Sequence, residues 1–196
     1  MAHRWHRENA TVLDSLNTVP AQDRPDLLSA PVAAAVGSLP SAEVFEIDPD
    51  LADAAALCAA YGLPLEVSAN CVVVTGRRGQ DRRHAAGVVL ATTRADVNGL
   101  VRRRLDARKA SFASVELAVA ATGMEYGGIT PVGLPADWLL LVDAAVVATP
   151  VVIVGSGVRR SKLVLPGASL AELPNAEVVD GLGIAGSPPE HPRVAQ

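Results

Sequence analysis

The sequence predicts a mixed α/β fold, and three features carry that prediction. Hydrophobic residues make up 49% and charged residues 19%, a balance that supports a packed core and excludes a disordered chain. Aromatics supply only 3%, so the core must be built from many small β-branched and methyl-bearing side chains in several thin elements. Short β-branched runs and alanine-rich stretches of helical spacing alternate, separated by glycine and proline. At 196 residues, one domain is expected, with no need of disulfide or metal staples.

The elements follow in order. Asn9 to Leu16 reads as a short helix and Pro25 to Val36 as a better one, with Pro25 suited to the first turn and Gly37 to the stop. Ser38-Leu39-Pro40 reads as a linker, so residues 1–40 form an N-terminal helical extension to a main domain at 41–184. Val44, Phe45 and Ile47 fit a strand. Asp48-Pro49 then opens a helix as cap and first residue, and Gly62 ends it. Asn70 to Thr75 and Ala85 to Ala91 form a hairpin whose exposed tip is Gly-Arg-Arg-Gly-Gln-Asp-Arg-Arg. Asp96 to Leu105 and Ser114 to Ala121 are helices, and Thr122 to Pro135 is a glycine- and proline-rich loop. Leu139 to Val142, Val146-Val147, Val151 to Val154 and Leu163-Val164 read as short strands. Ser169 to Leu173 is a last helical turn, Val178-Val179 a final strand, and 185–196 a flexible tail.

Composition also limits function. The longest apolar stretch, Trp138 to Val154, is broken by Asp143 and Pro150 and is short of the ~20 residues a membrane helix needs. The N-terminus lacks the continuous apolar run of a signal peptide, and Cys58 and Cys71 are too few for a disulfide scaffold. A cytoplasmic protein with buried free thiols is expected. The net charge of −4 is unevenly spread: residues 76–109 hold ten Arg/Lys against three acids. Such a region is either a solvated face or a nucleic-acid contact, since phosphate neutralisation gives affinity independent of sequence.

Two loops could carry chemistry. In Gly127-Gly128-Ile129-Thr130-Pro131-Val132-Gly133 the paired glycines let a ligand approach bare main chain, and Pro131 stiffens the loop. The alternative is an ordinary tight turn between a helix and a strand. Val154-Gly155-Ser156-Gly157 followed by Arg159-Arg160 could make a backbone nest for an anion, and a plain hairpin turn explains it equally well. No Gly-x-Ser-x-Gly elbow, Walker lysine loop or His-Glu-x-x-His is present. His3 and His6 make a weak metal candidate, His84 reads as structural, and neither cysteine has an activating base nearby in the sequence. No metal, cofactor or covalent nucleophile is expected.

Taken in this order, the two loops resemble those of the YbaK/EbsC family, whose glycine-x-x-x-proline loop matches Gly127 to Pro131. Asp143 resembles the aspartate that precedes the family's second loop, and Ser68 to Val74 its central strand, so the likeness spans roughly Val44 to Gly183. The resemblance implies a barrel-like curved sheet flanked by helices. It implies a trans-acting deacylase that hydrolyses the ester of mischarged tRNA, often tRNA for proline bearing a small wrong amino acid. By the same resemblance, Gly127, Gly128 and Asn70 are expected to be catalytic. Ile129, Thr130, Pro131, Gly133, Asp143, Gly155, Ser156 and Gly157 are expected to bind substrate. Arg102, Arg103, Arg104, Arg108, Lys109, Arg159 and Arg160 are expected to grip the tRNA. One departure stands out: many members carry a lysine where this chain has Asn70. The rival reading is therefore a binding module with the same fold and little turnover, unless Arg159, Arg160 or Lys109 supplies the charge.

Overall fold

The hairpin the sequence predicts is the spine of the protein. The computed structural model describes residues 16–186. In chain order its strands are β1 (Val19–Pro20), β2 (Glu43–Glu46), β3 (Ala69–Arg78), β4 (Asp81–Leu90), β5 (Arg94–Ala95), β6 (Lys109–Phe112), β7 (Leu139–Asp143), β8 (Val152–Gly155), β9 (Ser161–Leu165), β10 (Ala176–Val179) and β11 (Gly183–Ile184). The α-helices are α1 (Ala30–Ala35), α2 (Ala54–Tyr61), α3 (Arg102–Arg104), α4 (Val115–Thr122) and α5 (Ala144–Val147).

β3 and β4 pair over ten residues each, and the larger sheet runs β10-β7-β4-β3-β6 with β7 parallel to both of its neighbours. A second sheet runs β1-β2-β9-β8, and β5 pairs with β11. A single parallel bridge, Ser68 to Ile153, joins the two main sheets. The result is a mixed α/β fold with curved sheets flanked by helices, and the sheets form no closed barrel among the described residues.

Alternation along the strands sorts side chains between layers. Val44, Ala86, Val88, Val142, Val154 and Leu163 face the space between the sheets and form the main core with Val32, Val36 and Met124. The outer face of the second sheet (Phe45, Ile153, Val164) lies under Leu57 of α2. The outer face of the larger sheet (Val74, Val89, Leu141) is covered by Val101, Leu105 and Leu182. Residues 16–40 are part of this packing: β1 pairs with β2, and Leu27, Leu28 and Leu39 are buried in the main core.

Several expected elements take different forms, each for a physical reason. The helix foreseen over Pro25 to Val36 is a 3-10 turn at Pro25–Leu27 and then α1, because Ser29 is extended and donates its N–H to Ser156 O at 3.2 Å. The helix opened by Asp48 is a 3-10 turn, and a second cap, Asp53, starts α2 by accepting from Ala55 N and Ala56 N. Asp96 caps a π-helical turn at Val97–Val101 rather than a regular helix. Val146-Val147 is helical, not a strand: Asp143 accepts from Ala145 N at 2.8 Å and starts α5, where alanine outweighs β-branched preference. The basic hairpin tip is not a loop either. Only Gly79 and Gln80 turn, with Gly79 at φ +62°, so the arginines either side stand in strand register. The helix expected at Asn9 to Leu16 and the tail beyond 186 lie outside the described residues.

Asp143 is 6% exposed, and its second oxygen accepts from Gly183 N at 2.6 Å, tying β11 to the end of β7. Asp143→Ala orphans both N–H groups, so it is expected to destabilise the protein by about 1–3 kcal/mol, read as a lower midpoint in urea.

Candidate functional site

The site is made where the glycine loop crosses the end of β8. Gly155 has no Cβ because there is no room for one: it would sit 2.3 Å from Gly128 O and 2.6 Å from Ile129 O. Gly128 is pressed against the main chain of Val158 in the same way, its missing Cβ falling 2.6 Å from both C and O. Backbone hydrogen bonds lock the approach, with Gly157 N donating to Gly128 O at 2.8 Å and Glu125 N to Gly157 O at 2.9 Å. Glu125 adds a side-chain contact, its Oε2 accepting from Arg159 N at 2.7 Å.

This interlock turns Arg159 back over Gly127. The guanidinium Nη1 lies 2.6 Å from where a Gly127 Cβ would stand, and Gly127 itself holds φ +88°. Nη1 donates to Tyr126 O at 3.4 Å and Nη2 to Pro49 O at 2.8 Å, leaving further guanidinium hydrogens without an acceptor among the described residues. Ala52, just ahead of α2, closes the other side of Gly127.

Behind Ala52 lies a second cation that the sequence reading passed over. Lys162 is 7% exposed, stands opposite Gly155 in the β8–β9 ladder, and donates from Nζ to Ala52 O at 2.6 Å. Burial pulls its ammonium down to about 8; Asp53 works against that shift, and the nearby Arg159 charge adds to it. The signal was a lone lysine among buried residues in Ser-Lys-Leu-Val-Leu, where a charge is retained only for a reason.

The Ser68–Ile153 bridge places the start of β3 beside β8. Asn70 follows that bridge by two residues on β3, and Gly155 follows it by two on β8, with Lys162 opposite Gly155. The Asn70 side chain has no hydrogen-bond partner among the described residues.

The other expected residues divide into groups. Gly127 and Ile129 keep some surface, whereas Gly128, Thr130 and Pro131 are buried. Ser156 is fully buried and bonded to Ser161 Oγ at 2.8 Å, while Gly133 and Gly157 pack against Pro31 and Ser29. Asp143 sits at the end of β7 with both oxygens engaged. Arg160 turns away to Asp26 O. Arg102, Arg103, Arg104, Arg108 and Lys109 lie on or beside α3 and β6, at the far end of β3 from Asn70; Arg104 pairs with Glu177 and Arg102 bonds Asn98 O.

Both thiols are held in the neutral form. Burial pushes Cys58 up, and apolar surroundings push Cys71 up to about 12. Among the described residues no group of three or more His, Cys, Asp or Glu could hold a metal, and no helix is long and apolar enough to cross a membrane.

One end of the curved mixed sheet thus gathers glycine backbone and two cations. Residues 48–173 match the aminoacyl-tRNA editing domain family, and the chain belongs to that family. Its fold is similar to that of a solved protein proposed as a trans-editing enzyme for prolyl-tRNA synthetase, at 22% identity and a TM-score of 0.66, covering 80% of this chain and 96% of the other. It is likewise similar to a hypothetical protein designated APE2540, at 22% identity and a TM-score of 0.62, covering 72% and 90%. No curated protein matches the sequence.

The depressed Lys162 gives a test of the buried charge. Between about 8 and its ordinary 10.5 the unfolded chain holds a proton that the folded protein has released, so this group's contribution to stability rises with pH across that window. Lys162→Met is expected to raise stability by about 1–4 kcal/mol below pH 8, with the advantage shrinking towards pH 10.5 in paired urea titrations.

Proposed function

We propose that the chain is a trans-acting deacylase that hydrolyses the ester of mischarged aminoacyl-tRNA. What carries the reading is two cations, Arg159 and Lys162, held beside the glycine loop, where Gly127 keeps some exposed backbone. The ester is already activated, so placement and charge stabilisation suffice without a side-chain nucleophile. Water adds to the ester carbonyl, the ribose oxygen leaves with a proton, and the free amino acid and tRNA are released. The negative charge that develops on the carbonyl oxygen is met by the free guanidinium hydrogens of Arg159 and by the remaining hydrogens of the Lys162 ammonium. The structural likeness to a proposed prolyl-tRNA trans-editing enzyme supports tRNA for proline, with a small wrong amino acid, as the first substrate to try.

Asn70 favours the rival, a binder without turnover, only if no other cation serves the site. Lys162 supports the deacylase reading instead, because it puts a positive charge opposite Gly155, the residue that the loop crosses, although position 70 is neutral.

Purified protein is expected to release amino acid from mischarged tRNA, and Gly127→Val, which strains φ and meets Arg159, is expected to lower the rate by about 100-fold or more. Failure to release any amino acid across a panel of mischarged tRNAs, with tRNA binding intact, would establish the binder instead. The enzymatic rate above buffer should also fall as pH rises past about 8, where Lys162 loses its proton. Lys162→Arg should carry that falling limb to higher pH, because a guanidinium stays charged.

A further inference from the structure

The far end of the long hairpin carries a row of three cations that the site does not use. Register sets Lys109 of β6 opposite Arg77 of β3, and Arg77 opposite Arg82 of β4. All three are exposed, and none meets a carboxylate among the described residues. Like charges directly opposite one another weaken a sheet, so an unneutralised row of three is a local cost that folding does not require.

Three of the neighbouring cations are already occupied. Arg78 pairs with Asp106, Arg104 with Glu177, and Arg83 donates to Leu105 O at 3.2 Å. Arg82 extends the row towards a cleft of about 280 Å³, lined also by Arg83, His84 and Arg104, with Asp137 its one acid. His84 is fixed there by Thr75 Oγ1 at 3.1 Å and by a tilted stack on Trp138 at 5.3 Å.

Position gives the row its meaning. Val73, Thr75 and Arg77 share one face of β3, and Val73 belongs to the cluster on which Ile129 of the glycine loop packs. Four residues separate Val73 from Arg77, roughly 13 Å along the strand. We propose that Arg77, Arg82 and Lys109 form a docking surface for the RNA phosphate backbone, set one short span away from the glycine loop. The proposal rests on the deacylase reading for its geometry: an ester at the 3′ end of an RNA sits at the loop while the strand's phosphates trail towards the row. Contacts of this kind are made to backbone and shape rather than to base sequence.

The test uses the full chain and a fluorescently labelled, uncharged acceptor-stem RNA hairpin, titrated at several salt concentrations. For Arg77→Gln/Arg82→Gln, both at exposed positions and expected to leave the circular dichroism spectrum unchanged, affinity is expected to fall by about 10-fold or more at low salt, and the slope of log affinity against log salt to become shallower by about 1–2. An unchanged slope and affinity would overturn the docking surface. A second arm compares hydrolysis of the aminoacyl ester on full-length tRNA and on a CCA trinucleotide too short to reach the row. The double variant should lose kcat/KM on tRNA alone; an equal loss on both substrates would mean that these arginines act through the fold of the site, and the proposal would fail. A wild-type protein that hydrolyses neither ester sinks the deacylase reading, and the hairpin titration still decides the docking surface by itself.

Discussion

Everything at the site depends on two segments of main chain meeting without side chains between them. Gly128 and Gly155 come so close that an added Cβ on either would overlap backbone atoms, which cannot swing aside as a side-chain tip can. That contact fixes the height of the glycine loop above the sheet, and the bonds from Gly157 and Glu125 fix its direction. Arg159 follows from it, because its own N–H is held by Glu125 while its guanidinium folds back over Gly127. A loop positioned in this way needs no reorganisation to present its backbone, which is what makes preorganised charge effective in a low-dielectric site.

The price of the arrangement is a buried lysine. An ammonium removed from water on β9 costs stability unless it is paired, and here one carbonyl, Ala52 O, and the nearby Asp53 charge compensate only in part, with Arg159 opposing. An apolar residue would serve the fold better at that position. A buried cation that the fold does not need is one the proposed chemistry can use.

The two ends of the β3–β4 hairpin lie in different surroundings. At one end the strands meet β8 through the Ser68–Ile153 bridge and contribute to the site. At the other they extend past β7, which covers only Ala85 to Val88 of β4, and carry arginine into solvent. A rigid ladder between them holds the distance from loop to basic row nearly constant, so a ligand long enough to touch both would be measured against it.

Much of this was legible in the sequence because it is local. Helix starts at Asp48 and Ser114, the glycine stop at Gly62, the hairpin, and the two glycine loops all follow from residues within a few positions of one another. The loop sequences were also distinctive enough to indicate the family. What the sequence left open depends on contacts between distant segments. Ser29 breaks a helix because Ser156, 127 positions later in the chain, accepts its N–H. Residues 16–40 read as an appendage yet pack into the core, since nothing local reveals that Leu27 and Leu28 have partners across the fold. Lys162 lay just outside the expected Leu163-Val164 strand, and its setting emerged only when β9 was laid beside β8, opposite the glycine that the loop covers. Local propensity decides which elements form, whereas the environment of a charge is set by whatever the folded chain brings against it, and that only the tertiary structure decided.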